Sequence, residues 1–406
     1  MSYNSRPNNR RSYGGGNNNR RGQSSGNGNR NRGVKGRGQY IDPAKFVRKA
    51  TPPVGDDAYT PTNTFNDFNI EQILKDNLAE KGYEVPSAIQ DQSIPLGLEG
   101  RDVIGIADTG TGKTAAFALP VLDRLMNDPH SNAIIVAPTR ELAQQIEQEL
   151  RSIGKNSGLF GVLLIGGTPM GPQLRDLRSR PRVVIGTPGR IKDHLERGTL
   201  QLQNFNLVVL DEVDRMLDMG FLPDMQFILD SVSPERQSFF FSATMDAPVS
   251  RLIERFSHDA MKVSVKTGDT SEHVNQDVIH FSSKEDKMDK LHDALISEAV
   301  KKVIIFDETQ RSVERLAQEL ISRGFATDAI HGGKSQGQRQ RALKRFKATE
   351  VDILVATDVA ARGLDVKDIT HVINYAIPQT YQDYTHRVGR AGRAGNTGYA
   401  LTFVVR

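Results

Sequence analysis

From about residue 64, short apolar runs rich in β-branched residues alternate with longer stretches whose apolar positions recur at helical spacing. The runs at 102–106, 133–137, 161–165, 182–185, 207–210 and 238–241 are apolar on both faces, as strands of a buried parallel sheet must be. Segments between them, 140–153 for example, carry the helical period. The pattern predicts a doubly wound α/β domain that ends near residue 265. The polar stretch 266–272 breaks it and reads as a linker. A second α/β series follows, with strands expected at 303–306, 353–356, 371–374 and 399–404 and an amphipathic helix over 308–323. The predicted fold class is therefore α/β, with two tandem doubly wound parallel-sheet lobes at 64–265 and 273–406.

Residues 1–63 do not fit that pattern. They are rich in Asn, Gly, Ser and Arg and have almost no apolar residues before Phe46 and Val47, so a disordered tail is expected. The formal charge of +4 hides an asymmetry: residues 1–40 hold eight Arg and one Lys without an acid, which leaves the remainder mildly acidic. Arg21-Gly22, Arg32-Gly33 and Arg37-Gly38, interspersed with Tyr3, Tyr13 and Tyr40, resemble Arg-Gly segments that bind RNA by charge and stacking. A flexible solubilising tail that also recruits protein partners is the other reading.

At 406 residues with 37% hydrophobic positions, the chain can bury two or three cores. It contains no cysteine, which excludes disulfides and thiolate metal sites. It has no apolar run of about 18 residues and no apolar N-terminal segment, so a soluble, cytoplasmic and monomeric protein without a membrane span is expected.

The chemistry concentrates in three places. Ala107-Asp108-Thr109-Gly110-Thr111-Gly112-Lys113-Thr114 lies between a strand pattern and a helix pattern. Its glycines let backbone N–H groups wrap phosphates, Lys113 can reach the outer phosphates, and Thr114 can hold Mg²⁺. About a hundred residues on, 207–210 delivers Asp211-Glu212-Val213-Asp214 at a strand's C-terminal end. Asp211 suits a metal ligand and Glu212 a residue that orients the attacking water in phosphoryl transfer. In the second lobe, His386-Arg387-Val388-Gly389-Arg390-Ala391-Gly392-Arg393 sets arginines three residues apart among glycines. Arginine's planar fork suits a developing phosphoryl charge, and the glycines suggest close backbone approach.

With these motifs in this order, the segment from about Phe65 to Arg406 resembles the DEAD-box ATP-dependent RNA helicases of helicase superfamily two, with Val213 giving a DEVD variant. The resemblance implies RecA-like lobes, ATP and Mg²⁺ as cofactors, and RNA as partner. It implies adenine recognition by Phe65 and Gln90 and a ribose contact from Asp365. It implies RNA-backbone contacts from Pro138, Thr139, Arg140, Gly166, Gly167, Thr187 and Arg190 in the first lobe, and from Gln336, Arg339 and Thr357 in the second. Ser242 and Thr244, with Asp214 and His386, would couple hydrolysis to strand separation. Arg390 and Arg393 would be the arginine fingers, with Arg387 supporting the interface.

Several residues depart from the family pattern. Val213 adds two methyl groups next to the metal site, Asp108 places an acid in the phosphate loop, where its carboxylate is expected to point away, and Asp307 with Glu308 add acids to a second-lobe motif. The sequence stops at Arg406, just after an expected strand where relatives commonly continue into a helix. Two other functions stay open at this stage: an ATP-gated RNA clamp that scaffolds assembly, and a DNA-directed motor.

Overall fold

The computed structural model describes residues 41–50, 59–108, 110–265, 274–297, 299–361, 366, 368–392 and 397–406. The Arg-Gly segments, the expected linker, Thr109, Asp365 and Arg393 lie outside these residues.

Two all-parallel sheets form, each between layers of helices. The first contains β1 (Val103–Ala107), β2 (Ala133–Val136), β3 (Gly161–Leu164), β4 (Val183–Gly186), β5 (Leu207–Leu210), β6 (Gln237–Ser242) and β7 (Met261–Val265), in the order β3-β4-β2-β5-β6-β1-β7. The second contains β8 (Val274–Phe281), β9 (Val303–Phe306), β10 (Thr327–Ile330), β11 (Ile353–Ala356), β12 (His371–Asn374) and β13 (Gly398–Val405), in the order β10-β11-β9-β12-β13-β8. Each strand is short, and successive residues face opposite helical layers. Ile135 and Val209 join the apolar cluster on one face of the first sheet, whereas Ile134 and Val208 join the cluster on the other.

β7, β8 and β10 are additional to the strands read from the sequence. All three contain polar or charged residues that interrupt an apolar run, and all three are sheet edges, so a continuous apolar run does not mark them. The helix Arg140–Ile153 forms where its period predicts; Thr139 caps it by accepting from Leu142 N at 3.2 Å.

The tail expectation needs one correction. Residues 43–46 form a short 3₁₀ turn capped by Asp42, and Phe46 is fully buried in the core of the second lobe. The composition of 1–63 as a whole is that of a disordered segment, but a single aromatic ring with a matching cavity is enough to order its neighbours. Among the described residues, no helix is long and apolar enough to cross a membrane.

Candidate nucleotide and nucleic-acid site

Parallel strands present their C-terminal ends on one side of a sheet, and strand order decides which ends are neighbours. Lys113 follows β1, Asp211 follows β5, and Ser242 ends β6; these strands are adjacent, in the order β5-β6-β1. The residues expected at RNA, Thr139, Gly166 and Thr187, follow β2, β3 and β4, which form the other half of the sheet. The fold therefore sorts the two sets of residues into two adjoining halves of one edge.

The phosphate loop takes a conformation that only glycine adopts easily. Gly110 has φ +88° and Gly112 φ +91°, and Gly112 is the residue from which the helix Lys113–Asn127 starts. Gln90 braces the loop: its Nε2 donates to Gly112 O at 3.0 Å and its Oε1 accepts from Ser87 N at 2.9 Å, while Ser87 Oγ donates to Thr111 O at 2.7 Å. Phe65 is only 5% exposed, its ring edge-on to Phe68 and Tyr83. Asp108 lends the loop its carbonyl, which accepts from Thr111 Oγ1 at 2.8 Å.

Lys113 is buried, and its Nζ donates to Ala107 O at 2.9 Å. Asp211, 2% exposed, has its carboxyl pushed up to about 6, chiefly by burial and also by the charge of Glu212; the Lys113 ammonium opposes the shift. Glu212, 5% exposed, sits in the left-handed region at φ +54°, an uncommon conformation for a residue with a side chain. Its Oε2 accepts from Arg215 Nη1 within the buried pair. The sequence reading missed Arg215, although an acid and an arginine three apart at a helix start is a recognisable signal. Val213 is completely buried in the apolar cluster with Leu210 and Met216, so its extra methyl groups fill core space.

Asp214 gathers the segment after β6. Its Oδ2 accepts from Ala243 N at 3.2 Å, Thr244 N at 3.1 Å and Thr244 Oγ1 at 3.3 Å, and its backbone N donates to Ser242 Oγ at 3.3 Å. His386 is on the second lobe's helix Tyr381–Val388, where it lines a small cleft together with Arg387, Arg390 and Asp358. Arg387 is an internal buttress: its Nε and Nη2 donate to the two Asp358 carboxylate oxygens at 2.6 and 2.7 Å, its Nη1 donates to Asn374 Oδ1 and Ala376 O, and its guanidinium covers the Phe306 ring. Arg390 is buried in the same cleft. The close backbone approach that the glycines suggest is present: a Cβ on Gly398 would fall 2.4 Å from Gly392 N.

Of the residues expected at RNA, Arg140, Gly166 and Gly167 come together, and the Arg140 guanidinium fills the space a Gly167 side chain would need. Arg190 Nη1 donates to Thr168 O at 3.3 Å, and Pro138 and Thr187 are buried beside them. Two buried side chains support this loop: His194 hydrogen-bonds Gln173 and the exposed Thr199, and Gln173 donates to Ile165 O and Thr168 Oγ1. Gln336 and Arg339 reach the first lobe. Gln336 Nε2 donates to Gln144 Oε1 at 3.1 Å, and Arg339 pairs with Glu141. Glu141 Oε2, Gln336 Oε1 and Arg339 Nε are buried at this junction without a well-aligned hydrogen bond in the chain. Thr357 lies close by, at the end of β11, where its carbonyl accepts from Ala360 N and Ala361 N.

Fold and site together define a two-lobed P-loop nucleotide-binding protein. Residues 87–252 match the DEAD/DEAH box helicase family, and residues 286–395 match the helicase conserved C-terminal domain. The chain is 45% identical over 345 residues to the DEAD-box ATP-dependent RNA helicase CshA of Bacillus subtilis (strain 168), covering 84% of this chain and 70% of that protein. Its fold is similar to Mss116p bound to ssRNA and AMP-PNP (TM-score 0.76, 29% identity, covering 88% of this chain and 78% of that one). It is also similar to S. cerevisiae Dbp5 bound to RNA and ADP BeF3 (TM-score 0.74, 29% identity, covering 84% and 90%). The chain belongs to the DEAD-box ATP-dependent RNA helicase family, and its two parallel-sheet lobes are RecA-like.

Proposed function

We infer that this protein hydrolyses ATP at the β5-β6-β1 half of the first sheet and uses closure of the lobes to bend RNA and separate short duplexes. The observation that carries the reading is the sorting of nucleotide and RNA residues onto adjoining halves of one sheet edge, with Asp214, Ser242 and Thr244 bonded where the halves meet. In this reading Phe65 and Gln90 select adenine and residues 107–114 wrap the phosphates. Glu212, held by Arg215, orients the attacking water, and Arg390 and Arg393 meet charge developing on the transferred group. Asp365 contacts the ribose. Pro138, Thr139, Arg140, Gly166, Gly167, Thr187, Arg190, Gln336, Arg339 and Thr357 hold the RNA backbone, which implies little sequence preference.

The residues fit Mg²⁺: the Thr114 hydroxyl and the Asp211 carboxylate are hard oxygen donors, and a nearby cation would stabilise the charged form that burial of Asp211 disfavours. When bound, the ion would neutralise phosphate charge. We place the protein in the cytoplasm as a monomer, with lobes at 64–265 and 273–406 joined by 266–272, and assign the basic tail an auxiliary role in anchoring RNA and recruiting proteins.

The test is steady-state ATP hydrolysis without nucleic acid, with single-stranded RNA, and with single-stranded DNA of equal length, using Glu212→Gln as the blank. Stimulation by RNA alone is expected. Equal stimulation by DNA would replace the reading with a DNA-directed motor. Tight ATP-dependent RNA binding without turnover would favour a clamp.

A further inference from the structure

Residues 41–50 precede the first lobe in the sequence but fold onto the second. Phe46 is fully buried there, with its ring centroid 4.6 Å from that of Tyr384 at an interplanar angle of 51°. Tyr384 Oη donates to Gln276 Oε1 at 2.8 Å, and the backbone of Gln276 pairs antiparallel with Arg48 through bonds of 3.0 and 2.7 Å. Ala50 N donates to Asn275 Oδ1 at 2.9 Å, so the segment covers the open edge of β8. Lys45 Nζ sits 5.8 Å above the Tyr381 ring. Tyr381 and Tyr384 belong to the helix Tyr381–Val388, which carries His386 and Arg387 and leads directly into Arg390. Further along the chain, Tyr59 Oη, Thr62 N, and both Asn63 N and Nδ2 donate to the carboxylate of Asp91, next to Gln90.

We propose that Phe46 is a positioning residue for the arginine helix: by filling the space under Tyr384 it fixes where Arg390 stands relative to the nucleotide. The proposal rests on Arg390 acting in hydrolysis, as inferred above. An arginine that acts only on developing charge tolerates little displacement, and an error of about 1 Å can lower a rate roughly a hundredfold.

The experiment compares the full chain with Phe46→Ala, Phe46→Leu and Val47→Ala, the last being 56% exposed on the same segment. RNA-stimulated kcat, KM for ATP and melting are measured for each, and Phe46→Ala is repeated in an Arg390→Ala background. Phe46→Ala should lower kcat at least tenfold with KM changed less than threefold. Phe46→Leu should recover most of the loss, and Val47→Ala should match wild type. In the Arg390→Ala background Phe46→Ala should have no further effect on kcat, because both changes remove the same contribution. An unchanged kcat, or an equal loss in the Arg390→Ala background, would overturn the proposal. A wild-type chain that RNA does not stimulate would sink the functional reading instead. Amide exchange in β8 and the helix Tyr381–Val388 then decides the docking, and protection unchanged by Phe46→Ala would refute it.

Discussion

Glu141 Oε2 lies 2.8 Å from Arg339 Nη2, with both side chains buried, and the pair joins the helix after β2 in the first lobe to the helix after β10 in the second. Opposite charges that meet only when two bodies come together favour the joined state, and deleting one leaves the other buried and unpaired. Glu141→Gln should therefore weaken RNA binding in the presence of a non-hydrolysable ATP analogue by about tenfold to a hundredfold, roughly 1.4–2.8 kcal/mol. RNA binding without nucleotide should change much less. Fluorescence titration in both conditions checks this, and equal losses in the two would argue against a contact specific to the closed state.

Glu212 can be neutralised with little change of shape. Glu212→Gln should lower kcat by about 10²–10⁴, the usual range for removing a positioned base, and leave KM for ATP within threefold. Steady-state kinetics with saturating RNA provides the measurement.

Gly112 leaves no room for a side chain: at φ +91°, its Cβ would fall 2.3 Å from Gln90 Nε2. Gly112→Ala should strain the loop and break its brace to Gln90, weakening binding of an ATP analogue by at least about tenfold, while the melting temperature moves by only a few degrees. Calorimetric titration beside a melting curve would separate the two effects.

Arg387 and Arg390 are three residues apart but should respond differently. Losing Arg387 strands the Asp358 carboxylate, so Arg387→Ala should destabilise the second lobe by about 3 kcal/mol or more. Arg390→Ala should lower RNA-stimulated kcat by about 10³-fold, to a slow but measurable rate, while keeping most of the stability. Urea unfolding of both variants tests the contrast; equal stabilities would contradict the buttress role.

Acid should loosen the second lobe through His371. This residue on β12 is 6% exposed, is stacked on Tyr399, and has its imidazole pushed down to about 4 by burial. The unfolded chain takes up a proton near 6.5 and the folded lobe does not. The contribution is therefore full above about pH 6.5 and is lost as pH falls toward 4. At about 1.4 kcal/mol per unit, a fall from 6.5 to about 4 makes the loss on the order of 3–4 kcal/mol. His371→Phe should flatten this limb of a stability-versus-pH curve, and an unchanged slope would exclude His371 as its source.

Most of the first lobe was legible because its strands are apolar on both faces and its phosphate loop has a fixed spacing of glycines. Edge strands β7 and β8 were not, since half-exposed strands alternate and carry charges such as Lys262 and Asp277. The site was legible as a list of residues but not as a set of partners. The sequence marks Arg387 and Arg390 alike, and only packing separates a guanidinium locked to Asp358 from its neighbour. Glu141 stands next to Arg140, a residue read as an RNA contact, but its pairing with Arg339, 198 residues away, depends on how two lobes meet. Phe46 was hidden by its surroundings, because composition averages over a window and one ring in a polar tail barely moves the average.

The position of β13 between β12 and β8 sets an order of events on the ribosome. The strands of the first sheet all lie within residues 103–265, so that lobe can close early in synthesis. The second sheet stays split, with β8 detached from β12, until 398–405 have emerged. Phe46 is made before any strand of either sheet, and the sheet it packs against is not complete until 398–405 have been made. At typical elongation rates that interval is on the order of tens of seconds. During it the nascent chain carries an unsatisfied aromatic anchor and an unpaired strand edge, so the second lobe is where slowed translation would first show as aggregation.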